Sequence, residues 1–154
     1  SDALGNHERR RDVSCTAVEL NPHLAAAAQS NLGSTDAKFE VIVGDAGNTA
    51  TFQHRLPIDV LLLVGIFGNV PDTDVENTIS AVPSMCRKGA TVIWTRHRRA
   101  PDLTPSVRQW FDSVGCTSLD FVSPGEGQFA IGREQVLRSA ANKRRATRLF
   151  RFQD

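Results

Sequence analysis

Short apolar runs alternate along this chain with stretches of helical periodicity, and that alternation narrows the possible folds more than any other feature. The runs fall near residues 13–20, 39–43, 60–64 and 91–94, and patterned segments separate them. Parallel strands need long crossovers, so an alternating order of this kind reads as βαβ units around a mainly parallel sheet. Val60-Leu61-Leu62-Leu63-Val64 has no polar position. That suits a strand covered on both faces, as a central strand between two layers of helices would be.

The helices between the runs carry recognisable ends. Asn21 is placed to cap a helix that has Pro22 at its first position, continues through an Ala-rich run to Leu32 and stops at Gly33. A short helix is expected from Thr51 to Leu56. Thr73 and Glu76 have capping-box spacing for a helix whose Val75, Ile79, Val82 and Cys86 share a face, bent at Pro83 and ended by Gly89. Thr104-Pro105 opens another helix, with Val107, Trp110, Phe111 and Val114 on one side and Gly115 as its stop. Ser118–Val122 and Phe129–Ile131 flank a turn-rich link and read as an antiparallel hairpin. After Arg133 the chain turns basic and loses periodicity, so we expect an α/β domain over 1–132 and a solvated or frayed tail over 133–154.

The chain has 154 residues, 40% hydrophobic, with a net charge of +1, which is enough for one domain with a sizeable core. A balance so near neutral argues against a wholesale nucleic-acid or membrane-surface binder. No apolar run approaches a membrane span in length. Cys15, Cys86 and Cys116 are scattered among apolar residues, which suits buried free thiols in a reducing, cytoplasmic compartment. His7, His23 and His54 lack the mutual spacing of a zinc site, and no metal is expected.

Candidate site residues lie where strands end. Glu19 closes the first run just before the Asn21 cap, where an acid can accept the hydroxyl hydrogens of a ribose or merely favour the helix dipole. Asp45, in Gly44-Asp45-Ala46-Gly47, is a base contact or a turn former. Phe67 stands between Gly65 and Gly68 at the end of the apolar run, placed to stack on a planar ligand or to join the core. Asn69 could orient a substrate or shape the turn before Pro71. Arg96 and His97 follow a further strand and could bind an anionic substrate, His97 alternatively serving as a base, or both could be an exposed basic loop. Trp94 and Trp110 read as packing residues.

The order strand–Glu19–helix, strand–Gly44-Asp45-Ala46, strand–Gly65-Ile66-Phe67-Gly68-Asn69 and final hairpin resembles the class I S-adenosylmethionine-dependent methyltransferases over about residues 12–132. The resemblance implies a Rossmann-like sheet with helices on both faces and a C-terminal antiparallel hairpin strand. It also implies an S-adenosyl-L-methionine cofactor, with Glu19 at the ribose and Leu20 and Asn21 also cofactor-binding, Asp45 and Ala46 at the adenine, and Gly65, Ile66 and Phe67 lining the methionine and adenine side. Asn69, Arg96 and His97 would face a substrate, and no catalytic residue is assigned. The family's first strand and glycine-rich loop find no match in this chain, so the expectation is an N-terminally truncated methyltransferase of a small-molecule acceptor. The Asn/Asp-Pro-Pro-aromatic signature of amino-directed DNA and protein methylation is replaced here by Gly65-Ile66-Phe67-Gly68-Asn69. An aminopropyl transferase would carry an Asp where Gly65 stands, and a nicotinamide-dependent Rossmann enzyme would lack the terminal hairpin. The non-enzyme alternative is a binding or dimerisation module.

Overall fold

The computed structural model describes residues 7–32, 38–124, 128–140 and 146–153. The chain divides into two compact units, Ser1–Arg55 and Leu56–Asp154.

The first unit is one βαβ turn. Strand β1 (Ser14–Glu19), helix α1 (Pro22–Leu32) and strand β2 (Lys38–Val43) follow in order. The strands pair parallel without a break from Ser14 opposite Lys38 to Glu19 opposite Val43. Asn21 caps α1 as expected: its Oδ1 accepts the amides of His23 at 2.9 Å and Leu24 at 3.4 Å. Gln29 on α1 reaches over to accept the Val41 amide at 3.1 Å, satisfying a donor of β2 from the helix. The expected helix near Thr51 is instead two single 3₁₀ turns, Thr49–Thr51 and Gln53–Arg55. Asn48 explains the first, since its side chain accepts the Ala50 amide and starts a tight turn.

The second unit holds strand β3 (Ile58–Leu63), helix α2 (Asp72–Met85), strand β4 (Cys86–His97), helix α3 (Thr104–Ser113) and strands β5 (Cys116–Val122) and β6 (Phe129–Val136). The sheet order is β3-β4-β6-β5: β3 runs parallel to β4, and the β5–β6 hairpin adds antiparallel with β6 innermost. The expected α/β character, parallel pairing and antiparallel final hairpin are all present.

Three boundaries differ from the sequence expectation. Thr73 and Glu76 form no capping box; α2 starts at Asp72 behind Pro71, with no side-chain cap. Two acids, Asp72 and Asp74, occupy its first turn instead, where the dipole favours them. Gly89 does not stop the helix, because β4 has already begun at Cys86; Gly89, at φ 86°, lies in an irregular stretch where the β3–β4 register shifts. The boundary at residue 132 falls inside β6, which runs on to a fully buried Val136.

The core of this unit is built around Trp94, which is wholly buried with Phe67 and Phe111. Its ring stacks on Phe111 at 6.2 Å and meets Phe67 and Phe121 at tilted angles. Gly132 on the neighbouring strand makes room for it: a Cβ there would lie 2.1 Å from Trp94 Cε2. The indole N–H donates to Glu134 Oε1 at 3.2 Å, so the buried polar edge of the ring is satisfied by a buried carboxyl. Helix α3 is opened by Asp102, whose Oδ1 accepts both the Thr104 amide and its hydroxyl, and Gly115 at φ 83° closes it as expected. Burial pushes the Cys86 thiol up to about 12 and the Cys116 thiol up to about 11, values that suit unreactive packing thiols. Among the described residues no helix is long and apolar enough to cross a membrane.

Candidate functional site

In the first unit the parallel register delivers two acids to one edge. Glu19 is the last residue of β1 and lies opposite Val43, the last of β2. The Gly44 amide donates to the Glu19 carbonyl at 3.0 Å, so pairing continues one step past the strands and Asp45 emerges immediately beyond it. The Glu19 carboxylate is half-buried, and its Oε1 accepts the Asn21 amide at 2.7 Å, which fixes the side chain against the start of α1. Its Oε2 has no partner among the described residues. Asp45 folds its own turn, Oδ1 accepting the Gly47 amide at 2.7 Å and its carbonyl accepting the Thr51 hydroxyl at 2.8 Å. Gly44 is needed where it stands, because a Cβ would lie 2.7 Å from Thr51 Cγ2. Leu20 is 68% exposed, Asn21 spends its side chain on the cap, and Ala46 is half-buried.

In the second unit the loop between β3 and α2 is shaped by its own polar groups. Gly65, at φ 74°, turns the chain out of β3, and its amide donates to Thr95 Oγ1 at 3.0 Å. Among the described residues nothing lies within 4 Å of where a Gly65 Cβ would be, so the loop is open there. Ile66 is half-buried, and its carbonyl accepts the Asn69 amide at 2.9 Å. Asn69 Nδ2 donates to the Gly65 carbonyl at 2.7 Å, which closes the loop as the turn-former reading anticipates.

Two expectations for this loop are corrected. Phe67 does not offer its ring to a ligand; it is 0% exposed and packs on Trp94. Arg96 is not a free cation or part of an exposed loop. It is buried, with one guanidinium nitrogen donating to the Phe67 carbonyl and the other to Asp72 Oδ1 at 3.1 Å. It therefore braces the loop against the first turn of α2.

His97, the last residue of β4, lies against Gly68, where a Cβ would approach its Cδ2 to 3.1 Å. Its Nδ1 is buried without a hydrogen-bond partner among the described residues. Thr95 belongs to the loop's construction and was not singled out in the sequence; a hydroxyl two residues before His97 on a buried strand is the signal that could have marked it.

Comparison with solved structures assigns the fold. The archaeal fibrillarin pre-rRNA processing protein of Methanococcus jannaschii matches with a TM-score of 0.60 at 14% identity, over 82% of this chain and 57% of its own. SMU.776, a provisionally assigned methyltransferase complexed with SAH, matches at 0.62 and 12% identity, over 80% of this chain and 39% of its own. The N,N-8-amino-8-demethyl-D-riboflavin dimethyltransferase of Streptomyces davawensis matches at 0.56 and 17% identity, over 80% of this chain and 42% of its own. The chain has the class I methyltransferase fold. It spans little more than half the length of the fibrillarin structure and about two-fifths of the other two. No family model matches it, and no curated protein matches it in sequence.

Proposed function

We propose that this chain is part of an S-adenosyl-L-methionine-dependent methyltransferase acting on a small-molecule acceptor. The observation that carries the reading is the pair of acids at one strand edge, joined by the Gly44–Glu19 bond, with a carboxylate oxygen of Glu19 left open beside a helix start. The fold of the neighbours, one of them complexed with SAH, supports the choice of cofactor.

The residues present fit that cofactor. Glu19 Oε2 would accept a ribose hydroxyl, while the Asn21 amide holds the carboxylate in place. The Asp45-Ala46 turn would meet the adenine. The open space at Gly65 admits a ligand close to the backbone of the second unit, and the loop is held there by Thr95, Asn69 and Arg96. When bound, the cofactor supplies an electrophilic methyl group on a sulfonium. The chain's part is alignment and exclusion of water, with His97 at the end of β4, beside Gly68, as the candidate for taking an acceptor's proton. Within the second unit, Phe67 and Arg96 shape the loop, through the Phe67 carbonyl and the Arg96 guanidinium.

The truncated reading also has structural support. β3 carries the unbroken apolar run Val60–Leu63, yet among the described residues it ends the sheet, with Val60 and Leu62 each 57% exposed. A strand of that composition is suited to an interior place in a sheet, so we infer that a further strand of a longer protein pairs with its free edge.

The test is isothermal titration of S-adenosylhomocysteine into this chain and into a form extended upstream. Binding by the extended form that is lost or weakened in Glu19→Ala supports the reading. No binding by a well-folded extended form would sink it and leave a module of another kind.

A further inference from the structure

Two described stretches after β6, 137–140 and 146–153, bond to α2 and its ends, and the second finishes on the candidate loop. Near the C-terminal end of α2 the Ala140 amide donates to the Pro83 carbonyl at 2.7 Å, and Ser139 Oγ donates to the Cys86 carbonyl at 2.9 Å. Further on, Thr78 Oγ1 donates to the Leu149 carbonyl at 3.2 Å, and the Arg151 amide donates to Asp74 Oδ2 at 2.9 Å. The Gln153 amide then donates to the Asn69 carbonyl at 2.9 Å. As the chain advances, its partners recede from Cys86 and Pro83 through Thr78 and Asp74 to Asn69. Ser139 and Ala140 therefore meet the end of α2, and residues 146–153 run past Thr78 and Asp74 to the loop that precedes the helix.

This is not the solvated tail that the basic composition suggests. Leu149 and Phe150 are 3% and 1% exposed, as deeply buried as core residues. Phe152 meets the Phe150 ring edge-on at 5.2 Å while remaining half exposed itself. Two buried anchors therefore precede the residue that touches the loop.

Asn69 is where the two meet. Its amide and its side chain close the loop internally, onto the Ile66 and Gly65 carbonyls. Its own carbonyl is held from outside, by Gln153. Asp74 is engaged likewise, its carboxylate accepting the Arg151 amide in the first turn of α2. The loop is thus clamped at one end by Arg96 and Asp72 and at the other by the returning segment.

We propose that residues 146–153 are a strap that positions the Gly65–Asn69 loop, Leu149 and Phe150 anchoring it on α2 and Gln153 setting the Asn69 end. The consequence for cofactor binding rests on the function proposed above; the mechanical role does not. A loop positioned this way keeps the space at Gly65 open, so cofactor affinity depends on residues that need not touch the cofactor.

The experiment is amide hydrogen exchange on the full chain with Gln153→Pro, which removes one donor without disturbing a buried side chain, and with Phe150→Ala, which removes an anchor. Exchange of the Gly65–Asn69 amides should quicken about fivefold in Gln153→Pro, the effect of losing one ordinary hydrogen bond, while β4 and β6 amides stay protected. Phe150→Ala should loosen the same loop further; if it instead exposes β4 and β6, the proline variant alone decides. Unchanged loop exchange in Gln153→Pro overturns the strap. In the form found to bind S-adenosylhomocysteine, Gln153→Pro should weaken binding by a similar factor. A looser loop with unchanged affinity overturns the link to the cofactor. A looser loop in a protein with no affinity at all leaves the strap standing and removes the methyltransferase reading instead.

Discussion

The Gly44 amide donates to the Glu19 carbonyl at 3.0 Å, and this single backbone bond ties the acid that ends β1 to the turn that presents Asp45 after β2. Because the register from Ser14–Lys38 to Glu19–Val43 is unbroken, a one-residue slip would turn Glu19 to the other face of the pair. Strand pairing therefore brings the two acids to one edge, and an amide two residues on then holds each carboxylate.

Glu19→Ala is expected to weaken S-adenosylhomocysteine binding at least tenfold in the form that binds it, about 1.4 kcal/mol. Stability should fall far less, since the side chain's visible structural duty is one bond to the Asn21 amide. Titration calorimetry and a urea midpoint, measured on the same preparation, separate the two effects.

Arg96→Met tests whether Arg96 is a brace or an anion site. The variant leaves the Phe67 carbonyl without its donor and Asp72 without its partner, and we expect a loss of about 2–4 kcal/mol in urea unfolding. An anion-binding role alone would leave the unfolding midpoint unchanged.

Gly132→Ala should destabilise by about 1–3 kcal/mol, because the new methyl would press on the Trp94 ring across the β4–β6 pair. The indole's near-ultraviolet circular dichroism should change with it. A midpoint equal to that of the parent would mean that the ring shifts freely, against the packing seen with Phe111 and Phe67.

Glu134→Gln should make stability less dependent on pH. Burial pushes the Glu134 carboxyl upward, opposed by the Trp94 N–H bond and the Arg108 charge; Cys116 is the other titratable group facing it. A carboxyl raised on folding adds stability that is complete below its unfolded value, about 4.3, and is lost as pH climbs through the folded value. Gln keeps an oxygen for the indole and carries no charge. The variant's urea midpoint relative to the parent should therefore be more favourable at pH 8 than at pH 4, and an equal difference at both would refute the argument.

Much of the local structure was legible because local chemistry decides it. Asn21-Pro22 starts α1 through a side chain that reaches amides two and three residues on, and Gly115 ends α3 by adopting a backbone conformation that other residues resist. Thr73 and Glu76 show the limit. The pattern of a capping box was present, but Asp72 and Asp74 found partners in Arg96 and Arg151, which lie far away in sequence.

The sequence by itself determined the alternation of strands and helices, the strand-end positions of Glu19 and Asp45 and the final hairpin, because periodicity and turn chemistry act over a few residues. Tertiary structure decided what each side chain at those positions does. It buried the Phe67 ring against Trp94, turned Arg96 inward as a brace and laid a basic, aperiodic segment along α2 by way of Leu149 and Phe150. Those outcomes depend on which groups a fold brings within a few ångströms of one another, and residues as distant as Asn69 and Gln153 carry no mark of that meeting in their own surroundings.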